Sequence, residues 1–209
     1  MNFEEKITKK VNMEMNDGLS SFMNFAAQQN HNVYEVFFKF INEIKPKRIL
    51  EIGTALGGFT QFLKYCSDEL SLDINILSYD IHRMSWYEDM INIGIDVRVE
   101  NIFSENYEDI KNEVKEFIQQ DGLTLVLCDG GDKVKEFRVL SKCIKSGDII
   151  MAHDYIDNRE NFLSNYKDKI WNWHEISEND IMTASLENDL ISYRQNIFDN
   201  VVWVCKIKK

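Results

Sequence analysis

A chain of 209 residues with 44% hydrophobic and 12% aromatic content has apolar mass for one sizeable core and is short for two. Its formal charge of −11 excludes a surface built mainly to grip phosphate backbones, because an anionic polymer is repelled before local contacts form, so no nucleic acid partner is expected. The start, Met1-Asn2-Phe3-Glu4-Glu5-Lys6, is not a basic segment leading into an apolar run, and no stretch approaches the roughly 18 uncharged apolar residues of a membrane span.

Cys66, Cys128, Cys143 and Cys205 are far apart and form no C-x-x-C pair, which points to buried thiols in a reducing compartment. A cytoplasmic protein, neither secreted nor membrane-bound, is therefore expected. Around Asp17-Gly18-Leu19-Ser20-Ser21-Phe22 the chain shows little periodicity, and residues 1–32 are assigned to an N-terminal arm or lid preceding a single domain over residues 33–209.

From Val33 the apolar residues Val36, Phe37, Phe40, Ile41 and Ile44 recur at helical spacing, and Pro46, the only proline, ends that helix. Arg48-Ile49-Leu50-Glu51-Ile52-Gly53 follows as a short strand. A glycine turn then opens a helix with Phe59, Phe62, Leu63 and Cys66 on one face. The alternation continues with a strand over 74–80, a helix over 85–93, a strand over 97–101, a helix over 106–119, a strand over 123–129, a helix over 133–144 and a strand over 148–154. Such alternation predicts a parallel sheet covered by helices. Beyond Asp154 the rhythm fades, leaving strands at Trp171–Ser177 and Val201–Ile207 as an antiparallel C-terminal edge. The expected fold is thus α/β: a Rossmann-like, doubly wound, mostly parallel sheet of seven strands.

In an open α/β sheet the first strand-to-helix turn carries the ligand, which nominates Gly53–Gly58. Glycines let backbone approach a ligand closely, and the helix start offers free N–H groups. The spacing Gly53-x-x-x-Gly57-Gly58 is not the G-x-G-x-x-G of a dinucleotide site, which disfavours a nicotinamide-dependent oxidoreductase. Glu51 beside the turn would repel a pyrophosphate and suits a ligand bearing sulfonium and ammonium groups. Asp80, closing Ile76-Leu77-Ser78-Tyr79-Asp80, can accept hydrogen bonds from both hydroxyls of a ribose.

Ile49-Leu50-Glu51-Ile52-Gly53-Thr54 with Gly57-Gly58, followed by Tyr79-Asp80, resembles motif I and the acidic loop of class I S-adenosylmethionine-dependent methyltransferases over residues 33–154. The resemblance implies that Glu51, Gly53 and Thr54 line the methionine part, that Asp80 holds the ribose, and that Asn101 and Ile102 lie near the adenine.

Leu127-Cys128-Asp129-Gly130-Gly131-Asp132 and Met151-Ala152-His153-Asp154-Tyr155 end the next two strands at the edge of the sheet that carries the cofactor turn. Asp129 thus counts both toward the cofactor and, with Asp154, toward a Mg2+ or Mn2+ ion that would bind a substrate hydroxyl and lower its pKa. The pair resembles the metal-dependent O-methyltransferases grouped with macrocin O-methyltransferase and the proteins labelled cephalosporin hydroxylase, whose acids after these strands hold the ion. His153 stands where those relatives carry a carboxylate, and Asp132 where a macrolide methyltransferase has its basic histidine. His153 and Asp132 are the candidate general bases, Asp132 alternatively capping the following helix.

The expected function is methyl transfer from S-adenosylmethionine to a hydroxyl of a small molecule or sugar. The second reading is a non-catalytic cofactor-binding or assembly module on the same fold, and association into a homo-oligomer is left open. Trp171, Trp173 and His174 are candidates to wall the acceptor, while His82 and Arg83 are assigned no catalytic role.

Overall fold

The computed structural model describes residues 11–12, 20–23, 25–104, 109–158, 160, 162–166 and 174–209. In chain order the strands are β1 (Val11–Asn12), β2 (Ser20–Phe22), β3 (Phe25–Ala27), β4 (Arg48–Ile52), β5 (Asn75–Asp80), β6 (Asp96–Val99), β7 (Thr124–Cys128), β8 (Ile149–Ala152), β9 (Tyr155–Ile156), β10 (Ile176–Ser177), β11 (Leu190–Ser192) and β12 (Val204–Lys208). The helices are α1 (Val33–Ile44), α2 (Gly58–Glu69), α3 (Tyr87–Asn92), α4 (Asn112–Gln119), α5 (Lys133–Leu140), α6 (Glu178–Glu187) and α7 (Gln195–Phe198).

Strands read as near-continuous apolar runs are buried on both faces, and β4, β7 and β8 are buried at every residue. They sit inside a sheet ordered β11-β12-β8-β7-β4-β5-β6. From β6 to β8 each neighbour is parallel, and β12 runs antiparallel to both β8 and β11. The expected mostly parallel seven-stranded sheet with its antiparallel C-terminal addition is therefore present. The additional strands differ in detail from the expectation. Leu190–Ser192 forms the edge instead of Trp171–Ser177, whose residues 171–173 lie outside the described residues and whose Ile176–Ser177 pairs with β9 away from the main sheet. Three residues are too few to carry a period-two signal, which is why this edge strand left no trace in the pattern.

Alternation along each strand divides the core. On one face Ile49, Ile76, Leu125 and Met151 meet α1, α2 and an aromatic cluster that includes Phe22, Phe37, Phe62, Phe198 and Trp203. On the other face Leu50, Leu77, Val126 and Ile150 meet the aliphatic surfaces of α4, α5 and α6. Glu51 shares the first face with Ile49, so the period of the strand drives a carboxylate into the interior. The β2–β3 hairpin lies on α2 so closely that a Cβ at Gly58 would stand 2.4 Å from the Phe25 carbonyl oxygen. Residues 20–22 and 25–27 of the segment assigned to an arm therefore pack on the helix that follows the glycine turn. Among the described residues no helix is long and apolar enough to cross a membrane.

Candidate functional site

The order of strands reverses between β4 and β7, and a crevice opens beyond their carboxyl ends, as the topology of such sheets requires. Backbone hydrogen bonds prolong the ladder into it: Gly53 N–H donates to Tyr79 O at 2.8 Å, Asp129 N–H to Ile52 O at 2.9 Å and His153 N–H to Cys128 O at 3.1 Å. The three chain segments that leave β4, β7 and β8 are thereby held side by side. Between them lies a cavity of about 860 Å³, lined by Gly53, Thr54, Asp80, Asn101, Ile102, Asp129, Asp132, His153 and Asp154 among others.

At one end stands the glycine turn. Gly53 has φ +94°, and a Cβ there would meet the Asp129 carbonyl oxygen at 2.2 Å, so both its conformation and its neighbour demand glycine. Ala55, also at positive φ, donates its N–H to Asp80 Oδ2 at 2.7 Å, while Asp80 Oδ1 accepts from His82 N–H at 2.9 Å. Asp80 thus fixes the turn and still has lone pairs for a ligand. Thr54 Oγ1 and Ser78 Oγ share a hydrogen bond of 2.7 Å.

Glu51 is not part of the lining. It is 1% exposed and its carboxylate accepts from Thr60 Oγ1 at 2.6 Å and from Ser78 Oγ, on the face of the sheet that α2 covers. Burial pushes its pKa up to about 7, with the two hydroxyls pulling the other way.

The other end is a polar cluster gathered from distant parts of the chain. Asp129 Oδ1 lies 3.0 Å from His153 Nδ1, and Asp129 Oδ2 accepts from Gln29 Nε2 at 2.7 Å. Gln29 Oε1 in turn accepts from Trp203 Nε1 at 3.0 Å, and the His153 ring stacks on Trp203 with centroids 4.9 Å apart. His153 and Gln29 are each 2% exposed. Donation from Nδ1 to Asp129 leaves His153 Nε2 as the lone-pair nitrogen, and this atom and Asp154 Oδ1 are buried without a hydrogen-bond partner among the described residues. Burial lowers the affinity of His153 for a proton, but Asp129 and Asp154 more than offset that and raise its pKa above the usual histidine value. Burial raises that of Asp154.

Lys133 enters the same cluster. Its Nζ donates to Glu175 Oε2 at 2.6 Å and Gly130 O at 3.1 Å, and lies 3.1 Å from Asp154 Oδ2 and 3.8 Å from Asp129 Oδ1. Desolvation opposes its charge, yet Asp129 and Asp154 hold the ammonium above the ordinary lysine range. Asp132 is the N-cap of α5 and accepts from Lys135 N–H at 3.1 Å. Glu136 accepts from the N–H groups of Gly130 and Asp132 and is pushed up to about 7 by burial.

Every expected site residue except Glu51 therefore reaches one cavity. Sequence reasoning missed Gln29, Lys133, Glu175 and Trp203, which belong to no motif and become neighbours only through the fold. Trp171 and Trp173 lie outside the described residues; His174 is exposed, its ring 5.7 Å from that of Phe162, and lines a separate cavity of about 360 Å³.

A glycine turn after the first sheet strand and acids after the second, fourth and fifth strands now stand together at the switch point. The family of FtsJ-like methyltransferases matches residues 29–189, which takes in the whole arrangement. The chain belongs to the FtsJ-like methyltransferases. Solved structures similar to this methyltransferase include CmcI with SAH, at 10% identity over 100% of this chain and 93% of that one, with a TM-score of 0.59. A CmcI structure with Mg and SAM is 12% identical over 88% and 74% of the two chains, with a TM-score of 0.58. The CMeT domain of a citrinin polyketide synthase is 11% identical over 86% and 52%, with a TM-score of 0.54. At these identities the likeness is one of fold, that of the class I S-adenosylmethionine-dependent methyltransferases. No curated protein matches the chain.

Proposed function

We propose that this methyltransferase binds S-adenosylmethionine across the end of the sheet and transfers its methyl group to a hydroxyl of a neutral or cationic small molecule or sugar. The observation that carries the reading is the make-up of the cavity among the described residues: a glycine turn at one end, an unpartnered histidine nitrogen in the cluster at the other, and seven carboxylic acids against one lysine in the lining. Such a lining favours a ligand with sulfonium and ammonium charges and repels phosphorylated or otherwise anionic acceptors. We take residues 33–209 as a single domain, with β2 and β3 before it as an arm packed on α2.

When bound, S-adenosylmethionine supplies an electrophilic methyl carbon on sulfur. Gly53, Thr54 and Ala55 hold the methionine portion against the helix start, with Glu51 bracing the turn from behind through Thr60 and Ser78. Asp80 accepts from the ribose hydroxyls, and Asn101 and Ile102 flank the adenine. Asp129 keeps His153 in the tautomer whose Nε2 is free, and that nitrogen takes the acceptor's proton as the oxygen–carbon bond forms and the carbon–sulfur bond breaks. The base role falls to His153 because Asp132 commits an oxygen to the cap of α5.

The expected divalent ion is the one element for which the residues do not fit as arranged. Ligand atoms of Asp129, His153 and Asp154 lie within 4.8 Å of one another, but the Lys133 ammonium is already against Asp154 and near Asp129, and both Asp129 oxygens are engaged.

Calorimetry with S-adenosylmethionine and S-adenosylhomocysteine should give saturable binding; neither heat nor a thermal shift at millimolar ligand would sink the proposal. Labelled methyl should then pass to neutral or amino sugars and small alcohols, and not to sugar phosphates. Binding without transfer to any acceptor would identify a non-catalytic module instead.

A further inference from the structure

The position between Asp129 and Asp154 is filled from within the chain. Lys133 opens α5 four residues after Asp129, and the Asp132 cap starts the helix so that the lysine side chain turns back over the β7 end. An ammonium has three N–H donors. The Gly130 carbonyl at 3.1 Å, Glu175 at 2.6 Å and Asp154 at 3.1 Å account for all three, and Lys133 is only 7% exposed. None is left over for a ligand, so the group balances charge without touching the acceptor. A magnesium or manganese ion on the same carboxylates would lie against this ammonium, and its demand for about six ligands would require the lysine to be expelled.

We propose that Lys133 is the resident cation of the cluster: it takes the place of a divalent ion between Asp129 and Asp154, methyl transfer by this chain needs no metal, and removing the ammonium creates a metal site. The ligands of that site would be Asp129, Asp154 and His153, of which Asp154 Oδ1 is already buried and, among the described residues, unpartnered. This makes Lys133 a positioning residue, acting through the two carboxylates and through the histidine that Asp129 orients. The inference rests on reading the cavity as the methyl-transfer site, but its test uses the ion alone, so the two can fail separately.

Mn2+ is titrated into the whole chain without S-adenosylmethionine and free ion is followed by electron paramagnetic resonance, for wild type and for Lys133→Gln. Wild type should take up no ion below the millimolar range, and Lys133→Gln should bind at least about tenfold more tightly, since a like charge has left the site. Saturable micromolar uptake by wild type overturns the proposal, and so does a folded Lys133→Gln that gains nothing. If the variant does not fold, the wild-type titration still decides. Wild-type methyl transfer should also be indifferent to a chelator, and its abolition by EDTA with recovery on added Mg2+ would equally overturn the proposal.

Discussion

The two ends of the cavity are built in opposite ways. The glycine-turn end comes from one short stretch, Gly53–Gly57, whose Ala55 N–H donates to the Asp80 carboxylate, and its geometry is mostly backbone. The cluster end gathers Gln29, Asp129, Lys133, His153, Asp154, Glu175 and Trp203, with contacts spanning up to 174 residues of sequence. A site made of backbone tolerates little change in conformation. A site made of side chains depends instead on every partner being present, because each buried polar group is costly once its partner is lost.

The largest expected effect falls where the ends touch. Gly53→Ala forces a Cβ into the Asp129 carbonyl at a positive φ, and denaturant unfolding should report a loss of more than about 3 kcal/mol. A midpoint equal to wild type would mean the two ends are less tightly joined than the contact indicates.

Next in size is a pH effect. Glu51 has a folded pKa of about 7 against an ordinary 4.5, so the unfolded chain releases this proton first and stability falls as pH rises from 4.5 to 7. Glu136, at the cluster end, is raised to about 7 as well and acts in the same direction. Each contributes at most about 3 kcal/mol across that window. Glu51→Gln should therefore remove part of the downward slope and leave the Glu136 part, as read by denaturation at several pH values. An unchanged slope would mean that Glu51 titrates normally.

Smaller effects separate binding from chemistry. Asp80→Ala should weaken S-adenosylhomocysteine by about tenfold to a hundredfold in calorimetry, the scale of one or two lost hydrogen bonds, and spare kcat at saturating cofactor. Gln29→Ala should do the reverse: it strands the Trp203 N–H and frees Asp129, lowering kcat about tenfold while cofactor affinity holds. Equal losses in both parameters for both variants would erase the distinction between the ends.

The same contrast explains what was legible beforehand. The glycine turn and Asp80 were found because a sharp turn and a strand end each have a local signature. Asp129, His153 and Asp154 were found because strand ends in an open sheet share an edge. Gln29 lies in a stretch without periodicity, and Lys133 looked like any lysine at a helix start, so neither gave a signal. The motif points to Glu51 but not to its direction: strand alternation puts it beside Ile49, facing Thr60 and Ser78, and away from the cavity.

Sequence by itself determined the class of sheet, the place of the turn and the acids at its edge, because hydrophobic period and turn chemistry are short-range properties. Only the tertiary structure decided which charges neutralise one another, that Lys133 stands where a metal was expected, and that Gln29 closes the cluster. Electrostatic partnership depends on distance in space, and residues 29, 133, 154, 175 and 203 acquire that proximity only when the strands are laid side by side.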